Sequence, residues 1–204
     1  MDSAPKKPRA TYQDVLNAPE HEVAEIVAGQ LHLFPRPAGP HSSVMSLLGA
    51  ELIPPFGRGR GGPGGWIILI EPEIHLGEDI VVPDIAGWRR ERLPVIPDAA
   101  YFTLAPDWVC EVLSRSTEKF DRAEKLAVYA AAGVRWVWLV HPIRRTLEAF
   151  RLHDGAWVVT AILKDEDRGR IEPFDAIELE LSTLWMHLSL PTRASEAGAE
   201  SWAE

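Results

Sequence analysis

The sequence contains a single cysteine, Cys110, and this limits the chemistry open to the protein. One cysteine can form no disulfide bond within the chain, and it cannot supply the thiolate cage of a structural zinc site. Cys110 ends the apolar run Trp108–Cys110 and directly precedes Glu111. Because isolated cysteines in such runs are commonly buried, we expect a core thiol rather than a reactive one.

Long hydrophobic segments are also missing. No apolar run approaches the roughly 20 residues that a transmembrane helix requires. The longest runs, such as Trp136–Val140, have the length of a strand. The amino-terminal segment MDSAPKKPRA carries lysines but lacks the apolar stretch of a signal peptide. We therefore expect a cytoplasmic protein that does not bind a membrane.

Positive charge is scarce relative to negative charge. The chain has 21 Lys and Arg residues against 30 Asp and Glu residues, a formal net charge of -9. Proteins that bind duplex DNA non-specifically usually present a basic face, because neutralising phosphates supplies most of their affinity. Two local groups are candidates for a basic patch, with a solvated loop surface as the alternative: Arg58 with Arg60, and Arg89, Arg90 and Arg92.

The composition is that of one globular domain. Hydrophobic residues make up 46% of the 204 residues and charged residues 25%, which suits a chain with a packed core. We expect a single domain over residues 11–191. A disordered amino-terminal tail (1–10) and a flexible carboxy-terminal tail (192–204) flank it, because both are rich in small, polar or proline residues.

Hydrophobic patterning predicts an alternation of strands and helices. The two longest predicted helices are His41–Leu52, with apolar residues at helical spacing, and Glu118–Ala132, which a glycine ends. The predicted strands and hairpins are Glu22–Val27 with Gln30–Leu33, Trp66–Ile70, Ile80–Ala86, Trp108–Leu113, Val134–Val140, and Thr146–Leu152 with Ala156–Ile162. This order predicts an α/β (α+β) fold, a mixed β-sheet flanked by helices with additional antiparallel hairpins.

Two carboxylates, Asp84 and Glu111, stand out because each lies in or beside an apolar strand. An ionised carboxylate in such surroundings needs a cation, a hydrogen-bond network or solvent. If the two strands are neighbours, the oxygens can hold one hard divalent cation such as Mg²⁺ or Mn²⁺. The alternative, equally consistent with the spacing, is that Asp84 caps a turn after Pro83 and Glu111 pairs with an arginine.

An ordered series of short motifs resembles the Uma2 family, a group of restriction-endonuclease-like proteins in the PD-(D/E)XK nuclease superfamily. The motifs are Val82-Pro83-Asp84, Glu111-Val112-Leu113-Ser114, Asp121-Arg122-Ala123-Glu124-Lys125, Tyr129-Ala130-Ala131-Ala132-Gly133-Val134 and Trp138-Leu139-Val140-His141-Pro142. The resemblance extends over about residues 11–186. It implies a restriction-endonuclease-like fold with Asp84 and Glu111 as metal-binding catalytic carboxylates.

The chain departs from the superfamily pattern at Leu113. The pattern places a lysine there, on the same strand face as Glu111 because side chains alternate along a strand. The resemblance implies that the catalytic lysine comes instead from the following helix, where Lys125 fits, with Lys119 as a substitute. A salt bridge between Asp121 and Lys125, four residues apart, is the alternative, and Asp121 is expected to orient the lysine rather than bind metal.

Two further site residues follow from the resemblance. Glu25 matches an acidic residue that the family places before its first hairpin turn, although Ala28 stands where an aspartate is common. His41 matches a family histidine at the start of the first long helix, where it is expected to contact the substrate or a metal-bound water. A structural role is the alternative for a lone histidine at this position.

These features together predict a Mg²⁺-dependent (or Mn²⁺-dependent) endonuclease that hydrolyses DNA, in preference to RNA, with a metal-activated water. Cutting both strands of a duplex requires two active sites, so a homodimer is expected. Leu113 and the net charge of -9 favour a first alternative, an inactive nuclease fold that serves as a binding or assembly module. A hydrolase of small phosphate esters is a second alternative.

Overall fold

The structure, a computed structural model, describes residues 8–189. Its helices are α1 (Tyr12–Leu16), α2 (Gly39–Leu52), α3 (Glu118–Phe120), α4 (Leu126–Ala131) and α5 (Ser182–Trp185). A π-helical turn, Ile53–Gly57, follows α2, and a second, Asp121–Lys125, joins α3 to α4. No helix within the described part of the chain is long and apolar enough to cross a membrane.

Within residues 8–189, twelve strands form three sheets. They are β1 (Glu22–Val27), β2 (Gln30–Pro35), β3 (Trp66–Ile70), β4 (Ile74–Leu76), β5 (Asp79–Val81), β6 (Ile85–Arg89), β7 (Trp108–Val112), β8 (Trp136–His141), β9 (Thr146–His153), β10 (Ala156–Lys164), β11 (Arg168–Gly169) and β12 (Leu179–Glu180). The sheet orders are β10-β9-β8-β7-β6-β3, β2-β1-β5-β4 and β11-β12.

The six-stranded sheet forms the centre of the molecule. Only β7 and β8 pair in parallel, and the helical segment 118–131 connects them, as a parallel pair requires a crossover. The side chains of β7 alternate between two apolar cores. Trp108, Cys110 and Val112 enter one core, while Val109 and Leu113 enter the other. Glu111 therefore lies on the second face, beneath the crossover helix.

The segment 80–86, predicted as one strand, is two strands in different sheets. β5 ends at Val81 and pairs with β1 and β4, whereas β6 begins at Ile85 and pairs with β3 and β7. Pro83 lies in the break, and its ring nitrogen cannot donate a ladder hydrogen bond. The continuous-strand prediction is wrong for this reason, and the break frees the side chain of Asp84 from the sheet.

The remaining predicted elements lie close to their predicted positions. The crossover helix ends at Gly133, whose φ of 74° is the left-handed conformation of a helix C-cap. The Ala10 N–H donates a 2.9 Å hydrogen bond to the Gly29 carbonyl in the β1–β2 turn, and Arg9 forms a 2.6 Å salt bridge with Glu78 in the β4–β5 turn. The other predicted tail residues, except Pro8, lie outside the described residues, as do residues 190–191.

Candidate functional site

Asp84 and Glu111 lie side by side where β6 begins and β7 ends. Ile85 pairs with Cys110 in the antiparallel β6–β7 ladder, so the preceding residue, Asp84, falls opposite Glu111. The Val112 N–H donates a 2.6 Å hydrogen bond to Oδ2 of Asp84. The strand break and the ladder register together bring the two predicted carboxylates to one point.

His41 joins the first turn of α2 to this point. Its Nε2 lies 2.7 Å from Oδ1 of Asp84. Both side chains are largely buried, with exposed fractions of 11% and 14%. This contact holds Oδ1 of Asp84, while the Val112 N–H holds Oδ2. Each oxygen of the carboxylate therefore has a hydrogen-bond partner on a different element.

Lys125 lies at the centre of the remaining carboxylates. Its Nζ is 2.9 Å from Oε1 of Glu25, 2.9 Å from Oε1 of Glu111 and 3.9 Å from Oδ1 of Asp121. The Val82 N–H donates a 2.6 Å hydrogen bond to Glu25. The lysine side chain is only 4% exposed, so its charge is balanced by these carboxylates rather than by water.

Leu113 occupies the position where the superfamily pattern has a lysine. It lies on the same strand face as Glu111 but is only 2% exposed and packs into the apolar core beneath the crossover helix. Lys125 reaches Glu111 from that helix instead. This contact is the one expected if the helix, rather than the strand, supplies the lysine of the site. The catalytic role of Lys125 stays a prediction.

Tyr129 completes the environment of Glu111 and was not predicted as a site residue. Its hydroxyl donates a hydrogen bond to Oε1 of Glu111, and the side chain is fully buried. Tyr129 follows Lys125 by four residues, so both point from the same face of the helix. That spacing was visible in the sequence and marks Tyr129 as a positioning residue for Glu111.

Burial and crowding of like charges perturb the pKa values in this cluster. Burial, and the charges of Asp121, Asp84 and Glu25 against the opposing attraction of Lys125, raise the pKa of Glu111 well above its usual value. Burial raises the pKa of Asp121 to about 6.

The pKa of Lys125 moves in the direction that keeps it charged. Burial lowers this pKa, but the attraction of Glu111 and Glu25 outweighs burial, and the pKa lies well above that of a free lysine. One lysine therefore lies among four carboxyl groups in the pocket wall, three of which lie within 4 Å of its Nζ. The four are Glu25, Asp84, Glu111 and Asp121.

An open cavity of about 130 Å³ gives access to the cluster. Its wall contains all five predicted site residues together with Asp121: Glu25, His41, Asp84, Glu111 and Lys125. A hydroxyl-bearing segment (Ser114, Ser116 and Thr117) and the end of β2 form its rim. The cavity is therefore a pocket with mixed polar and apolar lining whose wall contains carboxylates and one lysine.

The sequence model of the Uma2 family, described as "Putative restriction endonuclease", matches residues 10–184. This range includes nearly all of the described residues and every motif on which the resemblance rested. The chain belongs to the Uma2 family. The predicted family is thereby confirmed, and with it membership in a group described as nucleases.

A solved structure supports the same fold for this Uma2 protein. It is the crystal structure of a "putative nuclease belonging to DUF820 from Anabaena variabilis ATCC 29413", with a TM-score of 0.70 and 22% sequence identity. The similarity covers 87% of the present chain and 98% of the other. The predicted α+β fold, a mixed sheet with flanking helices, is confirmed. No curated protein matches the sequence.

Proposed function

We propose that this Uma2 protein is an endonuclease that hydrolyses phosphodiester bonds in DNA with the help of Mg²⁺ or Mn²⁺. One observation carries the proposal. Asp84 and Glu111, distant in sequence, meet beside Lys125 at the base of an open pocket. Two carboxylates that can hold a metal ion, with a lysine beside them, can support metal-assisted phosphodiester hydrolysis.

The donor set fits a hard divalent cation. Asp84 and Glu111 offer oxygen ligands only, and Mg²⁺ commonly binds through one or two carboxylates plus waters. No group of three or more His, Cys, Asp and Glu side chains converges as a metal centre within residues 8–189, so waters must complete the shell. The excess of carboxylates over cations favours a divalent ion, which would polarise the phosphodiester and lower the pKa of the attacking water.

The protein's own residues then have distinct roles. Lys125 is protonated at neutral pH, so it acts as a hydrogen-bond donor to the attacking water or to the developing phosphate charge, and not as a general base. Glu25 holds the lysine at 2.9 Å. His41 positions Asp84, and Tyr129 positions Glu111 through their direct hydrogen bonds.

Isothermal titration of Mn²⁺ into the wild type and into Asp84→Asn and Glu111→Gln tests the metal site, with nicking of a plasmid and of a single-stranded circular DNA measured alongside. The substituted amides keep the side-chain shape but remove the charge. We expect each variant to weaken Mn²⁺ binding by at least roughly tenfold and to lose nicking in parallel. Glu178→Ala, an exposed carboxylate that does not line the cavity, is the control and is expected to match the wild type.

Absence of both Mn²⁺ binding and nicking in folded wild-type protein would contradict the proposal. The result would favour an inactive nuclease fold that serves as a binding module. The net charge of -9 and the pairing of Lys125 with two carboxylates are the observations behind that alternative. Hydrolysis of a small phosphodiester without nicking would instead favour a hydrolase of small phosphate esters.

A homodimer belongs to the proposal as far as duplex cleavage is concerned, because two strands require two sites. Light scattering coupled to size exclusion measures the mass in solution directly. A dimer mass is expected if both strands are cut in one encounter. A monomer mass combined with nicking would restrict the protein to one strand at a time.

A further inference from the structure

An aromatic surface lies beside the pocket, on the same face of the β1–β2 hairpin as Glu25. Glu25 pairs with His32 and Val23 with Phe34 in the antiparallel ladder. Residues directly opposite in such a ladder project to the same face. His32 and Phe34 therefore stand in line with a site carboxylate, and Leu33, between them, projects to the other face.

Phe120 from α3 packs against these two residues, and the three rings form what we call the aromatic shelf (His32, Phe34 and Phe120). The ring centroids of Phe34 and Phe120 are 5.0 Å apart, and those of His32 and Phe120 are 4.5 Å apart. All three side chains are only partly buried. Phe120 is followed directly by Asp121, so the shelf continues into the pocket wall.

Phe34 is the member of the shelf that lines the pocket itself. Among the described residues it belongs to neither apolar core, whereas Phe120 packs against the core beneath the crossover helix. A ring that lines a pocket and supports no apolar core is available to a ligand. The ligand that such a ring accepts is a flat, apolar or aromatic group.

Exposed cationic side chains lie within a few residues of the shelf or of the pocket lining along the chain. Arg36 follows Phe34 by two residues, is exposed and lines the pocket. Its guanidinium donates to the Glu20 carbonyl at 3.2 Å, and within residues 8–189 no carboxylate lies within salt-bridge distance of it. Arg115 and Lys119 are exposed next to the hydroxyl-bearing rim. These cations are available to contact the phosphates of a strand bound at the pocket.

The surface that adjoins the pocket at Arg36 is acidic. A second cavity borders the first at Val23, Arg36 and Glu71, and it is lined by further glutamates, namely Glu20, Glu22 and Glu73. A duplex centred on the pocket would bring its second backbone towards like charge, which is unfavourable. A single strand brings only one phosphate backbone to this surface, and Arg36 is available to one of its phosphates.

We propose that the aromatic shelf stacks an unpaired base next to the scissile phosphate, so that the substrate of this site is single-stranded nucleic acid. The inference rests on the proposed nuclease function and narrows its substrate class. Bases inside a duplex are stacked on one another and cannot reach a ring in a pocket wall, whereas unpaired bases stack on aromatic side chains without regard to sequence.

Fluorescence anisotropy with three probes tests the proposal. The probes are a labelled oligodeoxythymidylate of about 12 nucleotides, the same strand with abasic sites in place of the bases, and a hairpin duplex of matched length. They are added to wild type, Phe34→Ala, Phe34→Leu and Phe34→Trp. Leu33→Ala is the matched control, because Leu33 is 41% exposed on the opposite face of the same strand.

Wild type is expected to bind the single strand more tightly than the abasic strand or the duplex. Phe34→Ala and Phe34→Leu are expected to weaken single-strand binding roughly tenfold, the loss of one base–aromatic stack. Phe34→Trp and Leu33→Ala are expected to retain it. The leucine variant keeps an apolar side chain of similar size, so its loss of affinity reports the ring rather than an unfolded hairpin.

The proposal is overturned if wild type binds the duplex or the abasic strand as tightly as the oligodeoxythymidylate, or if Phe34→Leu binds as well as Leu33→Ala. Its failure is distinguishable from failure of the nuclease proposal. Single-strand binding that depends on Phe34, without Mn²⁺ binding or strand cleavage, would contradict the nuclease proposal and support base stacking on the shelf. Metal-dependent cleavage of duplex DNA by Phe34→Leu would support the nuclease proposal and contradict base stacking on the shelf.

Discussion

Lys125 shows how single residues determine the electrostatics of the site. Its Nζ contacts Glu25 and Glu111 at 2.9 Å, and the side chain is too deeply buried for water to solvate the ammonium group. A buried ammonium without partners would be too unfavourable to persist. The surrounding carboxylates therefore stabilise the lysine. Burial, with a smaller contribution from the neighbouring carboxylates, raises the pKa values of Glu111 and Asp121.

Asp121→Asn is expected to stabilise the protein at pH 7.5 by roughly 1–3 kcal/mol in the presence of EDTA. The carboxyl has a pKa of about 6 in the folded protein, raised mainly by burial from 3.8. The folded state thus binds the proton more tightly than the unfolded state, and this contribution to stability is lost as the pH rises through about 6. Asparagine does not ionise, so the Asp121→Asn variant does not lose this stability as the pH rises.

Urea unfolding at two pH values measures this effect. Near pH 4, where the wild-type carboxyl is protonated in the folded state, the difference between Asp121→Asn and wild type is expected to shrink towards zero. An asparagine variant that is less stable than wild type at pH 7.5 would contradict the prediction. It would mean that the pairing of Asp121 with Lys125 outweighs the unfavourable burial of the charge.

At the scale of elements, strand β6 controls where Asp84 stands. The strand is pinned between β3 and β7, and its glycine, Gly87, lies between two buried tryptophans. A Cβ at Gly87 would lie 3.2 Å from Cε3 of Trp108 and 3.3 Å from Cε3 of Trp66. Both rings also pack against Phe174, with centroid distances below 5 Å, and have little room to move.

Gly87→Ala is therefore expected to destabilise the protein by roughly 1–3 kcal/mol through overpacking of the core. Urea unfolding followed by tryptophan fluorescence measures the change. Gly39→Ala at the start of α2 is the control, because a Cβ there meets nothing within 4 Å and the backbone has no positive φ. Equal stability of the two variants would show that the tryptophans can separate without cost.

At the scale of the whole molecule, the negative surface restricts how nucleic acid can bind. Two of the arginines considered for a basic patch are engaged within the protein. Arg89 lies over the Trp66 ring at 4.8 Å, and Arg92 forms a 2.9 Å salt bridge with Asp107. The other arginines of those groups are exposed but do not line the pocket: Arg58, Arg60 and Arg90.

The salt dependence of single-strand binding is accordingly expected to be shallow. Three exposed cations lie within a few residues of the shelf or of the pocket lining along the chain: Arg36, Arg115 and Lys119. At roughly 0.7 per neutralised phosphate, the slope of log K against log salt should be about −2. Anisotropy titrations over a range of KCl concentrations measure it. A slope of about −6 or steeper would indicate an extensive phosphate contact surface, contrary to the prediction.

The sequence was sufficient to predict the family and the fold class, and to single out Asp84 and Glu111 as candidate site carboxylates. Strands such as Trp108–Leu113 are apolar throughout, so a carboxylate within one is conspicuous because of the cost of burying it. The helix that follows is marked by its apolar spacing and by Gly133 at its end. These are local properties, read from residues near one another in the chain.

What the sequence by itself determined about this protein was local: which segments form strands and helices, and which carboxylates lie among apolar neighbours. Only the tertiary structure decided that Asp84 stands opposite Glu111, that Lys125 contacts Glu25, and that Phe34 faces the pocket. The physical reason is range. Secondary-structure preference and burial cost depend on nearby residues, whereas ladder register and a shared pocket depend on packing between segments far apart in the chain.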